Sequence, residues 1–221
     1  MIPLRDVIPS RTTPYVTVGL IVVNVLVFIY ELMLPEQQLD TFMLYFGLVP
    51  AAFSWVAVLT SMFLHAGFAH VGFNMLFLWI FGDNVEDRLG HGRFIGFYLL
   101  CGVIASFGQI MLDPGSTLPM IGASGAIAGV MGGYFVLYPQ SRVLTLIPLI
   151  IFWEIIELPA IMLLGFWFLM QLFSAGAIAV TANATGGSGG VAFMAHVAGF
   201  IIGMIAVFVL RKRQRPDAWT Y

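Results

Sequence analysis

Four side chains are of a type and spacing that can do chemistry: Ser124 in Gly122-Ala123-Ser124-Gly125, His196 in Ala195-His196-Val197-Ala198-Gly199, and His70 with Asn74 four residues on. A serine hydroxyl is a weak nucleophile until a neighbouring base takes its proton, and an imidazole within hydrogen-bond reach is such a base. Acyl transfer also needs donors aimed at the oxygen that becomes negative. Residues at i and i+4 share a helix face, so His70 and Asn74 can supply two. If Ser124 opens a helix, backbone N–H groups there lack intrahelical partners and add more. Together these residues supply a nucleophile, a base and oxyanion donors, enough for peptide or ester hydrolysis where water can enter. Each also has an ordinary structural reading: a serine bonded to its own helix, a histidine bridging helices, a His–Asn pair joining spans.

The surroundings of these residues are not those of a soluble enzyme. Of 221 residues, 60% are hydrophobic and 9% charged, with a mean hydropathy of +0.98; a soluble domain has about 45–50% apolar and 25% charged residues. The net charge of −2, with no basic patch in the apolar body, gives no sign of a nucleic-acid partner. A single cysteine, Cys101, excludes a disulfide framework and a thiolate metal site. No H-E-x-x-H zinc pattern occurs, and the only lysine, Lys212, lies in a terminal tail, which removes a Ser–Lys dyad. No acid falls centrally in an apolar run, which argues against an aspartyl pair and a proton-coupled transporter. Nor is an acid placed to orient His196, so the expectation is a dyad and not a triad.

A membrane helix needs about 20 mostly apolar residues. That length predicts six spans in one domain over 1–221, at about residues 15–34, 68–87, 93–112, 121–138, 158–179 and 191–210. The first reads as a retained span, not a cleaved signal, because no small-residue cleavage site follows it. The stretch 143–157, broken by Pro148, Glu154 and Glu157, reads as an interfacial or partly buried connection. All 9 Lys and Arg fall before span 1, between spans 2 and 3, after span 4 or after span 6, which predicts both termini in the cytoplasm. The first outer loop is aromatic, with Phe42, Tyr45, Phe46, Phe53 and Trp55, and predicts short interfacial helices. Thr181–Gly190, rich in glycine, reads either as a flexible lid or as a plain connector.

In this topology spans 2, 4 and 6 all run inward, and His70, Asn74, Ser124 and His196 each lie within two turns of the outer start. They share a depth of roughly 10 Å at 1.5 Å per residue. Small residues at intervals of four, Gly125, Gly129 and Gly133 on span 4 and Ala195, Gly199 and Gly203 on span 6, allow these two backbones to approach closely.

At these residues the chain resembles the rhomboid family of intramembrane serine proteases. The match comprises His65-x4-His70-x3-Asn74, Gly122-Ala123-Ser124-Gly125-Ala126, Ala195-His196-Val197-Ala198-Gly199 and the turn Val85-Glu86-Asp87-Arg88-Leu89-Gly90. The resemblance implies an all-α, six-helix membrane bundle of the bacterial type, in the inner (plasma) membrane. It implies Ser124 as nucleophile and His196 as general base, with His70, Asn74 and the Ser124 N–H as the oxyanion hole. It also implies transmembrane protein substrates cut near the outer face, no cofactor, and a mobile gate at span 5. Some members carry a tyrosine four residues after the nucleophile, stacked on the histidine; here that position is Ala128. Glu86 and Arg88 match a structural turn, His65 reads as structural, and His91 is assigned no role. The alternatives are a catalytically silent member that binds client helices, for which Ser124 and His196 would be needless, and a small-solute transporter, for which buried acids and repeats are lacking.

Overall fold

Proline marks the helix boundaries: Pro14 and Pro35 stand just before helices, Pro139 just after one, and among the described residues no helix carries an interior proline. The structure, a computed structural model, describes residues 1–148, 153–185 and 192–211. Its helices are α1 (Tyr15–Met33), α2 (Glu36–Phe46), α3 (Trp55–Thr60), α4 (Phe68–Leu89), α5 (His91–Leu112), α6 (Ser124–Leu137), α7 (Ala160–Thr185) and α8 (Phe193–Leu210). α1, α5, α8 and the Ala160–Ala177 portion of α7 are long and apolar enough to cross a bilayer. The segment Trp55–Phe63 meets α4 at 88°, as a segment lying along the membrane plane would. With α2, it turns the aromatic first loop into the short helices expected.

α6 sits at the centre, buried from Gly125 through Tyr134. At 14 residues it is the shortest of the apolar helices of the bundle, spanning about 21 Å against a hydrocarbon core of about 30 Å. Just past its C-terminal end the Tyr138 hydroxyl donates to the Asn84 carbonyl of α4 at 3.3 Å.

The small-residue stripes bring α6 against α8. A Cβ on Gly199 would run into the Gly125 carbonyl oxygen, and one on Gly203 into that of Gly129. On the opposite flank, Cβ atoms on Gly125 and Gly129 would meet Ala105 and Cys101 of α5. The helices touch backbone to backbone, which fixes their relative height.

At the end away from Ser124, Glu86 is fully buried and caps α1. Its carboxylate accepts from the Val16 N–H (3.0 Å), the Thr17 N–H (2.8 Å) and the Thr17 hydroxyl (2.7 Å), while His91 Nδ1 lies 2.5 Å away. A carboxylate at a helix N-terminus satisfies orphan donors and complements the dipole. Glu86 is thus structural, as expected, and His91, assigned no role from sequence, is its partner.

Two stretches take a form that the sequence reading did not specify. The 143–157 connection is a hairpin, β2 (Arg142–Pro148) paired antiparallel with β3 (Trp153–Pro159), and β1 (Ile2–Asp6) adds on the other side of β2. The bundle is helical, but it carries this small sheet because Val143 and Thr145 are buried at alternating positions, a period of two hidden in an apolar run. Helix α7 continues through Thr185, so the first half of the expected Thr181–Gly190 lid is helical; residues 186–190 lie outside the described residues.

Candidate active site

Three helices start at one level and carry the four residues there: His70 and Asn74 in the first two turns of α4, Ser124 as the first residue of α6, and His196 in the first turn of α8. Ser124 Oγ and His196 Nε2 are 2.8 Å apart. This contact follows from the backbone approach of α6 and α8, since Gly199 lies beside Gly125 and each glycine is within one turn of its reactive neighbour.

Gly122 turns the chain into α6. Its φ of +121° is a conformation that side-chain-bearing residues rarely adopt, and a Cβ there would lie 2.7 Å from His70 Nε2. Its N–H donates to the Ser61 carbonyl at 2.8 Å, tying the turn to the first loop. His70 Nδ1 accepts from the Ala66 N–H at 3.3 Å, so the ring proton resides on Nε2, a donor beside Gly122. The Asn74 amide nitrogen donates to His65 Nε2 at 3.0 Å and keeps a second N–H free. Behind them Glu31, 2% exposed, accepts from the His65 backbone N–H at 3.2 and 3.4 Å. His65 is structural in a particular sense: it holds the Asn74 amide, and Glu31 holds it.

His196 has a partner that the sequence reading did not identify. Its Nδ1 lies 2.8 Å from Gln171 Oε1 of α7. Trp167, one turn earlier, lies with its ring centroid 5.8 Å from that of His196 at 35°, and Phe193 meets the imidazole edge-on at 6.3 Å. With Ala128 four residues after Ser124, aromatic support for the base comes from α7 and α8. A signal for Gln171 was present in the sequence: it is the one amide within the apolar run 158–179, four residues after Trp167 and four before buried Ala175.

The site opens into a cavity of about 690 Å³. Ser124, His196, His70 and Asn74 line it, with Phe73 and Phe77 of α4 and Trp167 and Ala175 of α7 on its flanks. The arrangement can activate a hydroxyl, receive negative charge on an oxygen and admit an extended chain. Among the described residues, no group of three or more His, Cys, Asp or Glu side chains is placed to hold a metal ion.

A family model, the Rhomboid domain, matches residues 52–213. Among similar proteins, "Rhomboid protease GluP" of Bacillus subtilis is 40% identical over 88 residues, covering 40% of this chain and 17% of the relative. "Putative rhomboid protease YdcA" of the same organism is 38% identical over 80 residues, 36% of this chain and 40% of the relative. "Rhomboid-like protein 11, chloroplastic" of Arabidopsis thaliana is 27% identical over 169 residues, 72% and 54% respectively. The matched part of the chain thus spans between 17% and 54% of the length of these relatives.

Proposed function

Because the chain belongs to the rhomboid family, we propose that it is an intramembrane serine endopeptidase acting on single-span membrane proteins near their outer end. The observation that carries this reading is the 2.8 Å contact between Ser124 Oγ and His196 Nε2 at the start of α6, facing a cavity. In the proposed reaction His196 Nε2 takes the hydroxyl proton as Ser124 Oγ bonds to the scissile carbonyl carbon. The oxygen that becomes negative accepts from His70 Nε2–H, the free Asn74 N–H and the Ser124 backbone N–H. His196 passes its proton to the leaving amine, the C–N bond breaks, and an ester to Ser124 remains. Water, deprotonated by the same nitrogen, hydrolyses that ester and regenerates the serine.

A transmembrane helix has its peptide groups bonded internally, so the segment to be cut must unwind before a carbonyl can meet Ser124. The cavity flanks on α4 and α7 support access from the lipid side between these helices, and the place of Ser124 on the cavity wall at the start of α6 supports water arriving from above. The proposed topology is six crossings in one membrane domain, both termini in the cytoplasm of a bacterial inner membrane. It is supported by Arg5, Arg11, Arg88, Arg93, Arg142 and Arg211, all at element ends opposite Ser124.

Cleavage of a single-span reporter by the purified chain in lipid tests the reading. Ser124→Ala and His196→Ala should each abolish cleavage while preserving the unfolding transition; turnover by either variant at the parent rate would refute it.

A further inference from the structure

His196 serves as a base only if Nε2 is bare towards Ser124, so the ring proton must sit on Nδ1. A buried N–H without an acceptor is costly, and His196 is 8% exposed. The acceptor within reach is Gln171 Oε1, at 2.8 Å. Five carboxylates on the bundle helices and the N-terminal segment are engaged elsewhere: Glu31 at His65, Glu86 at the start of α1, Asp6 at Tyr134, and Asp83 and Asp87 at the N-terminal segment. The opposite amide orientation would present an N–H to Nδ1, force the proton onto Nε2 and leave Ser124 without a base.

We propose that Gln171 is a positioning residue for His196, its Oε1 holding the Nδ1–H tautomer, and that its place on α7 makes the base competent only while α7 is packed against α8. This rests on the reading of Ser124 and His196 as the reacting pair. Trp167 and Phe168 turn towards the bundle on the same stripe as Gln171, and Phe168 stacks on Phe200 of α8 with centroids 4.7 Å apart at 23°. α7 therefore carries both the orienting acceptor and an aromatic neighbour of the imidazole. A displacement of α7 that widens the cavity also withdraws the support of the base, so cutting follows the return of the helix and not its opening.

The test uses the full chain in lipid with Gln171→Met, which has the same length and no oxygen, and Gln171→Glu, which keeps an oxygen acceptor. Nitrogen-15 NMR of the histidine rings reads the tautomer without any substrate. The parent is expected to show His196 protonated on Nδ1 and bare on Nε2, and Gln171→Met to lose that bias. In reporter cleavage Gln171→Met should lower kcat about 10–100-fold with KM within about twofold, the scale for losing a group that orients a reacting histidine. Gln171→Glu should return kcat to within about threefold of the parent. Phe168→Ala, which loosens α7, should slow labelling of Ser124 by a small fluorophosphonate; a helix that only gates access would leave labelling unchanged or faster.

A parent spectrum with the proton on Nε2 overturns the assignment even if no variant folds. Gln171→Met with the parent tautomer and kcat does the same, and undiminished labelling of Phe168→Ala overturns the coupling to α7. Failure of the protease reading is separate: it would appear as cleavage that survives Ser124→Ala, with the tautomer spectrum still deciding Gln171.

Discussion

Gly199→Ala is the substitution that asks most directly whether helix contact sets the reacting geometry. The added methyl would run into the Gly125 carbonyl oxygen and stand 3.4 Å from Ala128 Cβ. Nonbonded heavy atoms rest at about 3.5–4.0 Å, so α8 must back away from α6 by roughly 1 Å at this level. Gly125 adjoins Ser124, and His196 lies one turn before Gly199. The same displacement therefore stretches the 2.8 Å contact between Ser124 Oγ and His196 Nε2 beyond hydrogen-bond range. Overpacking of this kind costs about 1–3 kcal/mol of stability, whereas about 1 Å of misplacement in a reacting pair costs on the order of 10²-fold in rate. Gly199→Ala should consequently remain folded with a lowered Tm and lose about 100-fold in kcat for a single-span reporter. Gly19→Ala, where a Cβ meets nothing within 4 Å, should keep the parent kcat and Tm or gain slightly in Tm. Parent kcat in Gly199→Ala would refute the reasoning.

Three further outcomes follow from particular contacts. Asn74→Ala should lower kcat by about 10²–10³ and leave KM nearly unchanged, because an oxyanion donor acts in the transition state; steady-state kinetics on the reporter would read the split. Glu86→Gln places an NH₂ among the donors that start α1 and should cost about 2 kcal/mol, seen as a lower Tm with kcat intact. Asp6 has its pKa raised to about 6, chiefly by burial and secondarily by the Asp83 charge, against the lowering effect of its bond from Tyr134. The folded state then binds more protons than the unfolded state between about pH 4 and 6, so the Asp6 contribution to stability falls as pH rises through that window. Asp6→Asn should flatten this part of a Tm-versus-pH curve; an unchanged slope would contradict it.

The helices were legible because membrane helices write themselves as apolar runs, and the meeting of Ser124 with His196 was legible because Gly125/Gly129 and Gly199/Gly203 repeat at four. What escaped depended on partners distant in sequence. β1 at Ile2–Asp6 pairs with β2 at Arg142–Pro148, and neither strand announces the other. The 142–159 hairpin was obscured because a period of two is hard to see where both faces are apolar. Gln171 is visible as an amide in the middle of an apolar run, but which way it faces depends on how α7 rotates against α8. His65 reads as structural from sequence, but what it supports, the Asn74 amide with Glu31 behind it, appears only in the fold. The reading of the sequence considered only acids as a neighbour for His196; the neighbour is an amide, a group with an acceptor but no charge.

The most direct measurement is to label the lipid-embedded chain with a serine-reactive fluorophosphonate and locate the adduct by mass spectrometry. Labelling at Ser124 that vanishes in His196→Ala and runs in parallel with loss of reporter cleavage is the expected result. Reporter cleavage that persists with Ser124 fully labelled, or an adduct on another serine whose loss stops cleavage, would contradict the proposed site.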